Sequence, residues 1–205
     1  MRGVTIIMGE TNTHDMSNEV SEQVTPLRDI ILQEALSWLL LIVITVGVAL
    51  VLTRFVIVNA RIPTASMEPT IMTNDRVIAN RFAYRRNNPE RYHVVIFRFQ
   101  GDPTEFYVKR VIGLPGETVE IRAGRVYIRY GDEEPYVARD DFVNTPIFGD
   151  YGPFTVPEGH FFVLGDYRAV SEDSRRWADE YRFVPHELLL GRVVVRYFSR
   201  PGLIR

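Results

Sequence analysis

Residues 92–130 read YHVVIFRFQGDPTEFYVKRVIGLPGETVEIRAGRVYIRY. Tyr92–Phe99, Phe106–Leu114, Thr118–Arg122 and Arg125–Tyr130 are short runs rich in Val, Ile, Tyr and Phe. Gly101-Asp102-Pro103, Pro115-Gly116-Glu117 and Ala123-Gly124 punctuate them as turns. Moving outward, Arg76–Ala79, Gly159–Leu164 and Leu190–Phe198 show the same composition, and Gly131-Asp132 marks another turn. No helical crossover of useful length lies between these runs. The pattern predicts a mainly β domain over 59–205, an antiparallel barrel or sandwich, with a smaller, loop-rich β lobe at about 117–157. Pro185–Leu189 reads as a short helical turn, and no internal repeat is present.

The N-terminal part is different. Residues 1–24 are polar and aperiodic and read as a mobile tail. Thr25-Pro26 reads as a helix start, Thr as N-cap and Pro at the first helical position. Ala35 to Thr53 carries no charge over 19 residues, ALSWLLLIVITVGVALVLT. A helix of that length spans roughly 28 Å, close to the ~30 Å of bilayer hydrocarbon. Arg54 can snorkel at the edge while Phe55 to Val58 continue the apolar face. The reading is a helix over 25–58 containing one membrane span at about 35–56. The segment lacks the polar stripe of a core helix and starts too far from residue 1 for a signal peptide. Residues 1–34 balance to −4, whereas Arg54, Arg61 and Arg76 follow the span. Charge alone therefore places the C-terminal side in the cytoplasm.

The composition excludes several chemistries. The chain has 205 residues, a net charge of −2 and no cysteine. Nucleic acid is not an expected partner, and thiol nucleophiles, disulfides and thiolate metal sites are ruled out. No paired His or carboxylate spacing suggests a metal, so no metal or cofactor is expected. Of the 24 basic residues, only Lys109 is lysine. Lysine, unlike arginine, can lose its proton near neutral pH.

Three segments carry candidate chemistry: Ile62-Pro63-Thr64-Ala65-Ser66-Met67-Glu68-Pro69-Thr70-Ile71, Phe106-Tyr107-Val108-Lys109-Arg110-Val111-Ile112-Gly113, and Gly165-Asp166-Tyr167-Arg168-Ala169-Val170-Ser171-Glu172-Asp173-Ser174-Arg175. Each has a bland reading: a Pro-bounded turn, an edge-strand lysine facing water, and a polar loop held by Asp–Arg pairs. Together they make a mechanism. A serine hydroxyl needs a base to become a nucleophile. A lysine buried among Tyr107, Val108 and Val111 can be that base.

These three motifs, in this order behind an apolar helix, closely resemble those of the type I signal peptidases, from about residue 35 to the C-terminus. The resemblance implies a β-rich, membrane-anchored endopeptidase that removes signal peptides from secretory preproteins. It makes Ser66 the nucleophile and Lys109 the general base. Thr64 takes the place of a side-chain oxyanion donor beside the Ser66 N–H. Ser171 corresponds to a serine that orients the lysine amine. Asp173 and Arg175 correspond to a supporting ion pair, with Asp166 and Arg168 in the same loop. Ile62, Pro63, Ile71, Tyr107 and Val108 would wall pockets for small residues at −1 and −3. The resemblance also implies membrane lipid and the translocation machinery as partners, and a plasma-membrane location with the catalytic domain on the extracytoplasmic face, against the flank charges. Two departures stand out: Tyr167 where Asn is usual, and Arg91-Tyr92-His93 where an Arg-Gly-Asp start is usual. A Ser-His-Asp protease would need His14, His93, His160 or His186 beside Ser66, and none sits in a nucleophile setting. A non-catalytic relative has no reason to keep its sole lysine here.

Overall fold

The computed structural model describes residues 27–204. The tail over 1–24 and the Thr25-Pro26 cap lie outside the described residues. Helix α1, Leu27–Val51, is followed by one wider turn over Leu52–Val56. Asp29 in the first turn complements the positive end of the helix dipole. No residue of α1 is buried, and the helix is long and apolar enough to cross a membrane. Ser37 Oγ and Thr45 Oγ1 donate to the carbonyls of Gln33 and Leu41, so neither hydroxyl is left unpaired. This N-terminal apolar helix is consistent with a membrane anchor. The helix ends earlier than the sequence suggests: Ile57 and Val58 pair with Asn80 and Ala79 in a strand. Their β-branched side chains suit that strand, and the paired backbone ends the helical ladder.

The β domain contains β1 Ile57–Arg61, β2 Arg76–Asn80, β3 Val94–Arg98, β4 Phe106–Gly113, β5 Glu117–Arg122, β6 Arg125–Tyr130, β7 Tyr136–Val137, β8 Tyr151–Thr155, β9 His160–Leu164, β10 Val184–Pro185, β11 Leu189–Arg196 and β12 Gly202–Leu203. Short 3₁₀ turns occupy Asp179–Tyr181 and His186–Leu188. The larger sheet runs β1-β2-β11-β3-β4-β9-β10, with β12 beside β11, and its end strands β1 and β10 do not pair with each other. The smaller sheet runs β7-β6-β5-β8. Every pairing is antiparallel.

β3 is buried on both faces, which explains its continuous apolar run. Val94 and Ile96 pack with Ile62, Met67, Ile71, Val77 and Val193. Val95 and Phe97 point the other way, into Val111, Phe161, Val163 and Trp177. A third cluster joins Ile112, Phe162 and Leu164 to the small-sheet residues Val119, Ile121 and Ile128. The turn from β4 to β5 is locked by Arg91, which donates to the Ile112 carbonyl and pairs with Glu117. Next to it, Tyr92 has φ 73°, a left-handed conformation in which glycine is unstrained. Tyrosine is held there by its side chain: its hydroxyl oxygen accepts from Arg139 N–H at 3.0 Å, and its ring lies 5.7 Å from that of Phe142.

Candidate active site

Ser66 lies on the connection between β1 and β2, whose base is closed by Ile62 N–H to Asp75 O and Asn74 N–H to Ile62 O. Inside this loop Glu68 accepts from the Thr73 N–H and hydroxyl, bracing the segment after the serine. The Ser66 carbonyl accepts from Tyr167 N–H at 3.1 Å, tying the Ser66 segment to the third motif. That contact uses the Tyr167 backbone, so a residue other than Asn preserves it. Thr64 Oγ1 stands 3.4 Å from Ser66 Oγ, at the outer limit of a hydrogen bond.

Lys109 sits mid-strand in β4 opposite Val95 and is 4% exposed. Burial pushes its pKa down to about 8, against the opposing pull of Asp173. Its Nζ lies 5.7 Å from the centre of the Tyr107 ring, which stacks on Phe99 at 4.7 Å. Thr64, Ser66 and Lys109 open onto one cleft of about 880 Å³. Ile62, Pro63, Tyr107 and Val108 line it. Ile71 does not. The turn closed by Ile71 N–H to Met67 O carries it inward, and it is fully buried in the core beside Met67 and Val77. Tyr167, Val170 and Glu172 are cleft residues that sequence reasoning missed, because only their neighbours in the motif carry a chemical signal.

The third motif packs behind the cleft. Asp173 is fully buried and holds Arg175 through Nε at 2.8 Å and Nη2 at 2.9 Å, while also accepting from Gly165 N–H. Asp166 does not pair with Arg168. Its partner is Arg110, the residue after Lys109, with Thr70 donating to the same carboxylate. Arg168 instead donates from Nε to the Gly165 carbonyl. Ser171 is fully buried, and its hydroxyl has no hydrogen-bond partner among the described residues. Gly165 shows why this arrangement is tight. A Cβ there would stand 2.2 Å from Ser171 Oγ and 2.4 Å from the Ser66 carbonyl. Arg110, Thr70 and Gly165 are thus site residues missed from sequence. A glycine before Asp166 was visible, but its reason is a close approach that only the fold creates.

Among the described residues part of one β4 edge has no strand partner. β9 pairs with β4 only from Arg110 to Gly113, whereas β3 pairs along Phe106–Arg110. Phe106 to Lys109 therefore offer a strand edge next to the buried amine.

The family model and the sequence relatives agree on one family. A family model described as signal peptidase, peptidase S26, matches residues 35–198. A probable signal peptidase I-2 from Synechocystis sp. is 37% identical over 168 residues, covering 78% of this chain and 71% of that protein. A signal peptidase I from Leptolyngbya laminosa is 38% identical over 165 residues, covering 75% of this chain and 77% of that protein. A crystal structure of a signal peptidase I from Enterococcus faecalis is 31% identical with a TM-score of 0.43, covering 52% of this chain and 97% of that one. With a buried lysine and a serine on one cleft, and a match over most of its length, the chain belongs to the signal peptidase family, peptidase S26.

Proposed function

We propose that this chain is a membrane-anchored serine endopeptidase that cleaves signal peptides from secretory preproteins, with Ser66 as nucleophile and Lys109 as general base. The observation that carries this reading is the burial of the only lysine in a cleft that it shares with Ser66 and Thr64. Desolvation favours the neutral amine, which can accept the Ser66 proton as Oγ attacks the scissile carbonyl. Charge then develops on the carbonyl oxygen, where the Thr64 hydroxyl and the Ser66 N–H are the proposed donors. The ammonium returns its proton to the leaving amine. The free amine next deprotonates the water that hydrolyses the acyl-enzyme. The substrate lies as an added strand along Phe106–Lys109, where backbone bonds give affinity and side-chain pockets give choice. Ile62, Pro63, Tyr107 and Val108 wall the pockets for small residues at −1 and −3. Ser171 orients the Lys109 amine through its otherwise unpartnered hydroxyl.

The test is incubation of the full chain in detergent with a preprotein, followed by N-terminal sequencing of the product. Cleavage after a small residue, lost in Ser66→Ala, is expected; cleavage that survives in Ser66→Ala overturns the assignment. The same reading puts residues 59–205 on the outer face with translocated substrates, against the flank charges. Protease added to spheroplasts should digest that domain, and protection of it would reverse the topology.

A further inference from the structure

The buried charges behind the cleft do not balance. Arg110, Arg168 and Arg175 face Asp166 and Asp173, all five at 4% exposure or less. Arg110 engages both carboxylate oxygens of Asp166, and Arg175 engages both of Asp173. Among the described residues no carboxylate lies within ion-pair distance of Arg168, which is 3% exposed. A buried guanidinium without a counter-charge is costly. Burial pulls its pKa down to about 10 even though Asp166 and Asp173 favour the charged form. Arg168 borders a cavity of about 440 Å³, between the turn at Gly124 and the loop over 138–147. Its walls also include Arg125, Arg139, Asn144 and Thr145, with Asp140 as the one acid. Arg139 is already paired with Asp141 at 2.8 Å, whereas Arg125 makes no ion pair among the described residues.

We propose that this cavity is an oxyanion site, built for a phosphate group, with Arg168 as its buried anchor and Arg125 at its rim. The planar guanidinium fork matches the oxygens of a tetrahedral anion, and the volume lies within the range of small-ligand sites. The phosphate can belong to inorganic phosphate or to a lipid headgroup, since both present the same oxygens. The site is wired to the cleft. Arg168 Nε holds the Gly165 carbonyl at 2.9 Å, Gly165 abuts Ser171 and the Ser66 carbonyl, and Ala169 N–H reaches Thr145 Oγ1 at 3.2 Å. A bound anion would neutralise Arg168 and stiffen the loop that carries Ser171.

The test is thermal unfolding of the full chain in uncharged detergent, a readout independent of peptidase activity. One arm adds sodium phosphate against sodium chloride at equal ionic strength, and the other adds phosphatidylglycerol to the micelles. The expected result is a saturable rise in Tm of a few degrees, with affinity weakened at least about tenfold in Arg125→Gln and abolished in Arg168→Gln. A response to inorganic phosphate assigns a soluble anion, and a response to phosphatidylglycerol alone assigns a lipid headgroup. No saturable shift in either arm, or one equal in wild type and Arg125→Gln, overturns the proposal. Should Arg168→Gln fail to fold, Arg125→Gln and broadening of the phosphate ³¹P line by wild-type protein decide the question.

Discussion

Arg110 and Asp166 form a two-pronged ion pair, Nε to Oδ1 at 2.8 Å and Nη2 to Oδ2 at 2.6 Å, with side-chain exposures of 2% and 0%. Arg110 follows Lys109 in β4, and Asp166 follows Gly165, against which Ser171 and the Ser66 carbonyl pack. Thr70, from the Ser66 loop, donates to Asp166 and lies 3.2 Å from Arg110 Nη2. Arg110 also donates to the Tyr92 carbonyl at 2.9 Å. One pair therefore joins all three motifs and sets how the Lys109 strand meets the Ser66 loop.

Breaking that pair from one side should be costly. Asp166→Asn replaces the carboxylate of this buried two-pronged ion pair with a neutral amide, for which a loss of about 3–5 kcal/mol is expected. Denaturant unfolding measures it. A loss below ~1 kcal/mol would mean that solvent already reaches the pair.

The rate of cleavage should rise with pH along a limb centred near 8, as Lys109 loses its proton. Lys109→Arg should be inactive, because guanidinium cannot take the serine proton. The same depressed pKa has a stability consequence. Between about 8 and 10.5 the unfolded chain holds a proton that the folded chain has released, so stability rises with pH across this window. Below it the full penalty of roughly 3 kcal/mol applies. Lys109→Met should therefore be inactive yet more stable than wild type at pH 7, with the advantage fading above pH 10. A Lys109→Met protein less stable at pH 7 would contradict the buried-amine account.

Gly165→Ala should abolish processing, because its Cβ would collide with Ser171 Oγ at 2.2 Å and with the Ser66 carbonyl at 2.4 Å. Ser171→Ala should behave differently. Among the described residues its hydroxyl makes no hydrogen bond in the resting site, so Tm should hold or rise, while loss of its orienting effect on Lys109 during catalysis should lower kcat by about 10–100-fold. A drop in Tm with unchanged kcat would make Ser171 a packing residue.

Thr64→Val keeps the shape of the side chain and removes its hydroxyl. Since Oγ1 lies 3.4 Å from Ser66 Oγ, kcat should fall by about 10²–10³ with little change in KM. Single-turnover kinetics would check this, and an unchanged kcat would leave the oxyanion to backbone donors.

The apolar run from Ala35 to Thr53, the β alternation and the three motifs were legible in the sequence because each rests on local chemistry: the side chains that follow one another along the chain decide periodicity, turns and the rarity of a lone lysine. The end of the helix at Val56 was not legible, since Ile57 and Val58 are as apolar as what precedes them and only pairing with β2 makes them a strand. Nor was the partner of Asp166, which lies near Arg168 in sequence but is held by Arg110, 56 positions away. Ile71 reads as a pocket wall and is a core residue, because one turn of backbone after Ser66 faces it inward. Burial, charge pairing and close backbone approach are properties of segments brought together. The motifs could therefore name Ser66 and Lys109, but only the tertiary structure decides that Gly165 must lack a side chain and that Arg168 stands without a carboxylate among the described residues.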